Sequence, residues 1–366
     1  MQADRAGATM HLRRSFFEAK ERPIVEFAGM SASLWRYDTG VEAVRLSNKR
    51  GHLVALPYMG QIVWSAAFDG VDLAMQSMFA EPRPANVIVE TYGCLVYHAG
   101  MLRNGVPSRE DTHALHGEMP CARMDAAGLA CGEDAQGPWL ALTGLRDYAM
   151  GFGAHYRATP RIVLRPGATE FDIVMEVENL SAAPMDLMYL CHANFAFDEG
   201  ARIVQPVPFT PEAVVVRTAI PGHVTPNEDY RALLSELAIN PAGMETLSEP
   251  RRYDPEQVFY IKGVKRGADG LAHFMLARRA GDGFTIAWDP EIMPHTIRWV
   301  LANSDQRVAA FAMPATCEPE GYLAEKRKGN VRALAGGAKA SFATRLGYVD
   351  KSKAAAMARN IEAGLR

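Results

Sequence analysis

The stretch "LHGEMPCAR", residues 115–123, sets His116, Gly117 and Glu118 in a row. On an extended strand residues two apart share a face, so an imidazole and a carboxylate placed this way can handle a proton together. The glycine between them lets a ligand approach the backbone. A turn histidine beside a hydrogen-bonded glutamate is the structural alternative. A second stretch, "LCHANFAF", residues 190–197, alternates in type. As a strand it puts His192 and Asn194 on one face and Cys191, Ala193 and Phe195 on the other. Polar groups that interrupt an apolar strand suit a polar pocket. A sugar needs such groups, because each hydroxyl both donates and accepts hydrogen bonds.

Other residues compete for a role. His98, His113, His116 and Glu118 are zinc or manganese ligand types. His113 and His116 would share a face only on a helix, and the local Pro, Gly and Asp content argues against one. No known ligand spacing is matched, so no metal is expected. Glu318 and Glu320, in "CEPEG" after an apolar strand-like run, are acid–base candidates or members of a solvated loop. Trp288 and Trp299 suit either stacking on a sugar ring or filling the core, and nothing in the sequence separates the two roles.

The elements that must position these groups read as strands and turns. In "GHLVALPYMGQIVWSAAFDGVDLA" the Asp69-Gly70 pair between two apolar runs is a hairpin signal. Pro166-Gly167 marks a turn, and "EFDIVMEVEN" after it alternates as a half-buried strand does. "MDLMYLCHANF", "GFTIAWDP", "TIRWVLANSD" and "RVAAFAMPA" read as further strands. "EDYRALLSELA" is a short helix, "DKSKAAAMARNIEAGL" is a C-terminal helix, and "EAKERPIVEF" is ambiguous. The expectation is one all-β domain over residues 1–366, a sandwich or barrel with a short C-terminal helix. Its core spans about 40–350, with residues 1–20 and the helix 351–366 peripheral.

A net charge of −3 over 366 residues gives no electrostatic case for nucleic acid or an anionic membrane. No apolar run reaches the length of a membrane span. Residues 1–17 carry charges without a following apolar region, so no secretory signal is read. Five cysteines (Cys94, Cys121, Cys131, Cys191 and Cys317) are scattered, with no CxxC. A reduced, cytoplasmic protein is the expectation. The C-terminal helix offers a surface for a second copy, so a homo-oligomer stays open.

On these residues the chain resembles the aldose 1-epimerase (galactose mutarotase-like) superfamily, and more closely its DUF4432 branch. The resemblance rests on "GHLVALPYMGQIVWSAAFDGVDL", on "GCLVYHAGMLRNGVPSREDTHALHGEMPCAR" leading into His-Gly, on the His-x-Asn strand in "LMYLCHANFAFDEGARIVQP", and on "IMPHTIRWVL" and "AMPATCEPEG". It implies a galactose mutarotase-like β-supersandwich with a sugar cleft on one sheet face. It implies anomer interconversion with His192 as acid, and with His116 binding the sugar near its ring oxygen. His98, Arg103, Asn194 and Trp299 become candidates to bind the same sugar. No metal or organic cofactor is implied. The chain departs from the family where a late strand should carry the base glutamate. It reads "AMPAT", with Met313 in that place, and a thioether cannot abstract a proton. Glu118, Glu318 and Glu320 are the candidate replacements. Two alternatives stay open: another sugar isomerase or lyase, with or without a metal, and a sugar-binding protein without turnover.

Overall fold

The strand Glu170–Asn179 shows how the chain builds its layers. Phe171, Ile173, Met175 and Val177 are buried, and the residues between them are more exposed. This computed structural model describes residues 5–364 except 221 and 223. Glu170–Asn179 lies in a nine-stranded antiparallel sheet. From edge to edge the order is Arg5–His11, Ala126–Asp134, Gly137–Ala149, His155–Leu164, Glu170–Asn179, Lys339–Val349, Gly283–Trp288, Ala272–Ala277 and Arg202–Val204. Of the N-terminal extension, residues 1–4 lie outside the described residues. Arg5–His11 is an edge strand of this sheet, paired with Ala126–Asp134.

The second sheet has thirteen strands. Its path runs Val214–Val216, Gln257–Ile261, His295–Ala302, Arg307–Ala315, Met185–Ala193, Val96–Met101, Val63–Phe68, Gly51–Ala55, Glu42–Asn48, Met30–Arg36 and Arg22–Phe27. Arg332–Leu334 and Val71–Asp72 pair off this path. Of the ambiguous stretch, residues 18–27, the part Arg22–Phe27 is an edge strand. Asp69 and Gly70 both take positive φ, 50° and 79°, as a tight two-residue hairpin requires. All five cysteines are free thiols.

The two sheets face each other across one core. Phe68 meets Phe171 with ring centroids 6.4 Å apart, and Tyr189 stacks on Phe342 at 4.5 Å. The larger sheet is buried on its other face as well. In Met185–Ala193, Leu187, Tyr189 and Cys191 join the inter-sheet core, while Leu190 belongs to a second apolar cluster with Ile297 and Met313. A strand covered on both faces reads as an unbroken apolar run. His192 therefore stands out in it.

Helices serve the margins. Glu228–Ile239 starts at Asn227, whose side chain accepts from the Tyr230 N–H at 2.8 Å. Lys351–Ala363 starts at Asp350 and lays Ala354 and Ile361 against Val204, Met275 and Val349. Among the described residues no helix is long and apolar enough to cross a membrane.

Candidate active site

Strand register places the first histidine. His192 pairs with Tyr97 across neighbouring strands, so the two side chains share a face. Their rings stack at 4.4 Å with 15° between planes. The adjacent pair, Cys191 and His98, must point the other way. His98 is 1% exposed, and its Nδ1 lies 2.9 Å from the Tyr189 hydroxyl inside the sandwich. The expectation that His98 binds a ligand is thus corrected by the two-residue period of its own strand. On the other side, Leu190 pairs with Ala315. In an antiparallel ladder that brings Met313 about level with His192, and Ile297 pairs with Met313 beyond it.

A tight loop brings the second histidine. His116 and Gly117 both take positive φ, 61° and 83°. A side chain on Gly117 would place its Cβ 1.9 Å from the Arg103 carbonyl, so only glycine fits. The His116 N–H donates to the Gly105 carbonyl at 3.0 Å, and the Gly100 N–H donates to the His116 carbonyl at 2.9 Å. The left-handed backbone of a non-glycine residue is thereby held in place, as is common at functional sites. The His116 ring lies 5.0 Å from that of His192.

Hydrogen bonds orient both rings. His116 Nδ1 is 3.4 Å from the Asn104 Oδ1, and the Asn104 amide nitrogen donates to the Cys317 sulfur at 3.6 Å. This puts the His116 proton on Nδ1 and leaves Nε2 as an acceptor. His192 Nε2 is 3.3 Å from the Tyr92 hydroxyl, which is itself 3.1 Å from the Tyr97 hydroxyl. Burial pushes the His116 ring down to about 3 and holds His192 well below the ordinary histidine range. Neighbouring His116 lowers His192 further, and Asn194 acts against both. Both imidazoles are neutral at pH 7.

The carboxylate of the cleft is Glu256, which sequence reasoning missed. It precedes the strand Gln257–Ile261 and is 9% exposed. Its Oε2 accepts from the Trp299 indole N–H at 2.7 Å, and its Oε1 from Arg217 at 3.0 Å. Its charge favours protonated His116 and disfavours ionised Tyr92, so it is felt across the cleft. Trp299 faces His192 at 5.9 Å between ring centroids. These groups border one cleft of about 890 Å³, in which Glu256 is the sole carboxylate among the described residues.

The other expected residues are placed elsewhere. Glu118 accepts from the Met101 and Leu102 N–H groups at 3.0 and 2.8 Å and from the Tyr156 hydroxyl at 2.9 Å, and it does not line the cleft. Its pairing with His116 on a strand face fails because the backbone there is a loop at positive φ. Glu318 bonds Lys262 and Lys328. Glu320 accepts from Tyr260, lies 3.9 Å from Arg217 and does not line the cleft. Asn194, though close enough to His192 to act on it, does not line the cleft, and its amide donates to the Cys94 carbonyl at 3.0 Å. Arg103 covers the Tyr322 ring at 3.6 Å. His113 accepts from the Tyr322 N–H at 3.4 Å. The four histidine and glutamate groups with metal-ligand chemistry thus diverge. Among the described residues no cluster of three or more His, Cys, Asp or Glu could hold a metal ion. Trp288 is core, stacked on Phe274 at 5.2 Å, whereas Trp299 is cleft wall.

Residues 38–348 match DUF4432, a domain of unknown function. The chain belongs to the DUF4432 family. This DUF4432 chain also shares its fold with solved structures. A Klebsiella pneumoniae protein provisionally named aldose 1-epimerase superposes with a TM-score of 0.77 at 17% identity, over 97% of this chain and 95% of that one. A galactose mutarotase-like protein from Clostridium acetobutylicum gives 0.55 at 11% identity, over 91% and 99%. An Escherichia coli K12 protein, also provisionally named aldose 1-epimerase, gives 0.53 at 15%, over 83% and 97%. The β-supersandwich is therefore the galactose mutarotase-like one. No curated protein matches the DUF4432 chain.

Proposed function

We propose that this DUF4432 protein interconverts the anomers of a sugar, with Glu256 as base and His192 as acid. The observation that carries this reading is Glu256, the sole carboxylate among the described residues of a cleft that two imidazoles also line. Glu256 takes the proton of the anomeric hydroxyl while protonated His192 gives one to the ring oxygen. The bond from C1 to the ring oxygen breaks, the aldehyde turns about C1–C2, and closure on the other face returns both protons. His116, with Nε2 free to accept, holds a hydroxyl near the ring oxygen. Trp299 offers its ring to the C–H face of the sugar.

The acid must be charged, and burial resists that charge. The competent form is a minority at neutral pH, so the rate rises as pH falls from 8.5 toward 6.5. Anomer exchange measured by NMR over a hexose panel tests the reading. The expected rate exceeds buffer catalysis and falls by about 10²-fold or more in Glu256→Gln and His192→Gln. A wild-type rate equal to the buffer background would sink it. Met313 favours a second reading, a sugar-binding protein without turnover, which predicts binding together with that background rate.

A further inference from the structure

We propose that the sugar taken by this cleft carries an apolar substituent away from its anomeric carbon, seated against Met78, Phe79 and Val89. This rests on the sugar reading above. The cleft, at about 890 Å³, lies toward the upper end of the roughly 300–1,000 Å³ range that encloses drug-sized ligands, and one pyranose leaves most of it unfilled. Its titratable groups are gathered around His116, His192, Arg217 and Glu256, while the uncharged Asn303 and Gln306 also line it. The remaining length has a different chemistry.

The segment that carries Met78 and Phe79 is tied to the hairpin after His295–Ala302. Gln76 and Arg307 exchange backbone hydrogen bonds of 3.0 Å in both directions. Val89 sits in the turn Ile88–Thr91, directly before Tyr92, whose hydroxyl reaches His192. The apolar end and the acid are therefore parts of one continuous cleft. Met78 is 56% exposed and Val89 54%, and both line it. Single exposed apolar side chains are ordinary, but two converging on one cleft mark a binding surface. Two polar side chains, Asn303 and Gln306, line the cleft here, and the oxygen of Asn303 is occupied. Asn303 Oδ1 accepts from the N–H groups of Asp305 and Gln306 at 3.0 and 2.8 Å. The floor toward His192 continues apolar through Leu301, Ile297 and Met313. Methionine where the family resemblance leads one to expect a glutamate extends this surface to the reacting end. A sugar hydroxylated on every carbon would bury its hydroxyls unpaired against these side chains, at a cost. An alkyl, aryl or acyl group would gain by the same contact.

The test is calorimetric binding of hexoses, of their mono-O-benzyl ethers with free anomeric carbons, and of reducing disaccharides as polar controls of similar size. At least one ether is expected to bind roughly tenfold or more tightly than its parent hexose. In Met78→Ser/Val89→Ser the ratio of ether to parent affinity falls toward one, with thermal unfolding followed to confirm the fold. The proposal is overturned if a parent hexose or disaccharide binds as tightly as every ether, if the ether advantage survives the double substitution, or if no ether binds. Anomer exchange on plain hexoses without ether preference removes this proposal and leaves the function. Ether preference without anomer exchange does the reverse.

Discussion

Trp299 holds Glu256 in place: its indole N–H donates to Oε2 at 2.7 Å while the same ring bounds His192 at 5.9 Å. One side chain thus fixes the proposed base and walls the proposed acid. Trp299→Phe keeps a ring and removes the donor. An N–H that stabilises the carboxylate lowers its pKa, so losing it raises that pKa. The acid limb of the pH–rate profile is expected to move to higher pH, with kcat/KM reduced about tenfold. An acid limb that stays put would separate Trp299 from the chemistry.

Acid should unfold the protein early. His98 and His116 are pushed down to about 3 and His192 is held well below the ordinary histidine range, chiefly by burial. The unfolded chain takes up protons at its histidines near pH 6.5 while the folded chain does not. Stability is therefore complete above about pH 6.5 and is lost as pH falls from there toward about 3. Each ring contributes up to ~1.4 kcal/mol per pH unit within that window. Urea midpoints at pH 7.5 and 5 should differ clearly, and less so in His98→Gln. Equal midpoints would contradict three buried neutral rings.

Glu118 is an anchor. Glu118→Ala leaves two N–H groups and a tyrosine hydroxyl without their acceptor. The expected loss is about 2–4 kcal/mol of unfolding free energy. Denaturant unfolding measures it. Glu118→Gln, which keeps one acceptor oxygen, should lose less. A catalytic Glu118 would show the opposite pattern: near-native stability with abolished exchange.

Gly117→Ala meets both a positive φ and the Arg103 carbonyl. The loop must move, carrying His116 with it. We expect at least about 2 kcal/mol of destabilisation and a raised KM. Calorimetric unfolding and anomer-exchange kinetics on the soluble variant check the two effects. Native stability and KM would show that the loop absorbs a methyl group.

The sequence exposed the strands whose apolar residues alternate, such as "EFDIVMEVEN", and the turn at Asp69-Gly70, because period and turn chemistry are local. It also exposed His192, a lone imidazole in an apolar run, and His116 beside a glycine. It did not separate His98 from Tyr97. Alternation says that neighbours face opposite ways, and not which face is the cleft. It linked Glu118 to His116 by strand spacing in a stretch that is a loop. Glu256 stands at the head of "EQVFYI", after Asp254-Pro255, and comes to the same cleft as His192 only through pairing of Gln257–Ile261 with His295–Ala302 and of the strands beyond it. The local signal was an acid opening a strand, and no short window joins it to residues 60 or more positions away.

The two halves of the cleft differ in how they are anchored. Met185–Ala193, which holds His192, is paired on both sides and packed on both faces. Its amides can exchange with solvent only when the sandwich opens as a whole. Glu256 and Arg217 hang on Gln257–Ile261 and the terminal strand Val214–Val216 beside it. The wall that carries Glu256 therefore stands at the margin of the larger sheet and the His192 wall at its middle, so hydrogen exchange is expected to be faster in Val214–Val216 than in Met185–Ala193.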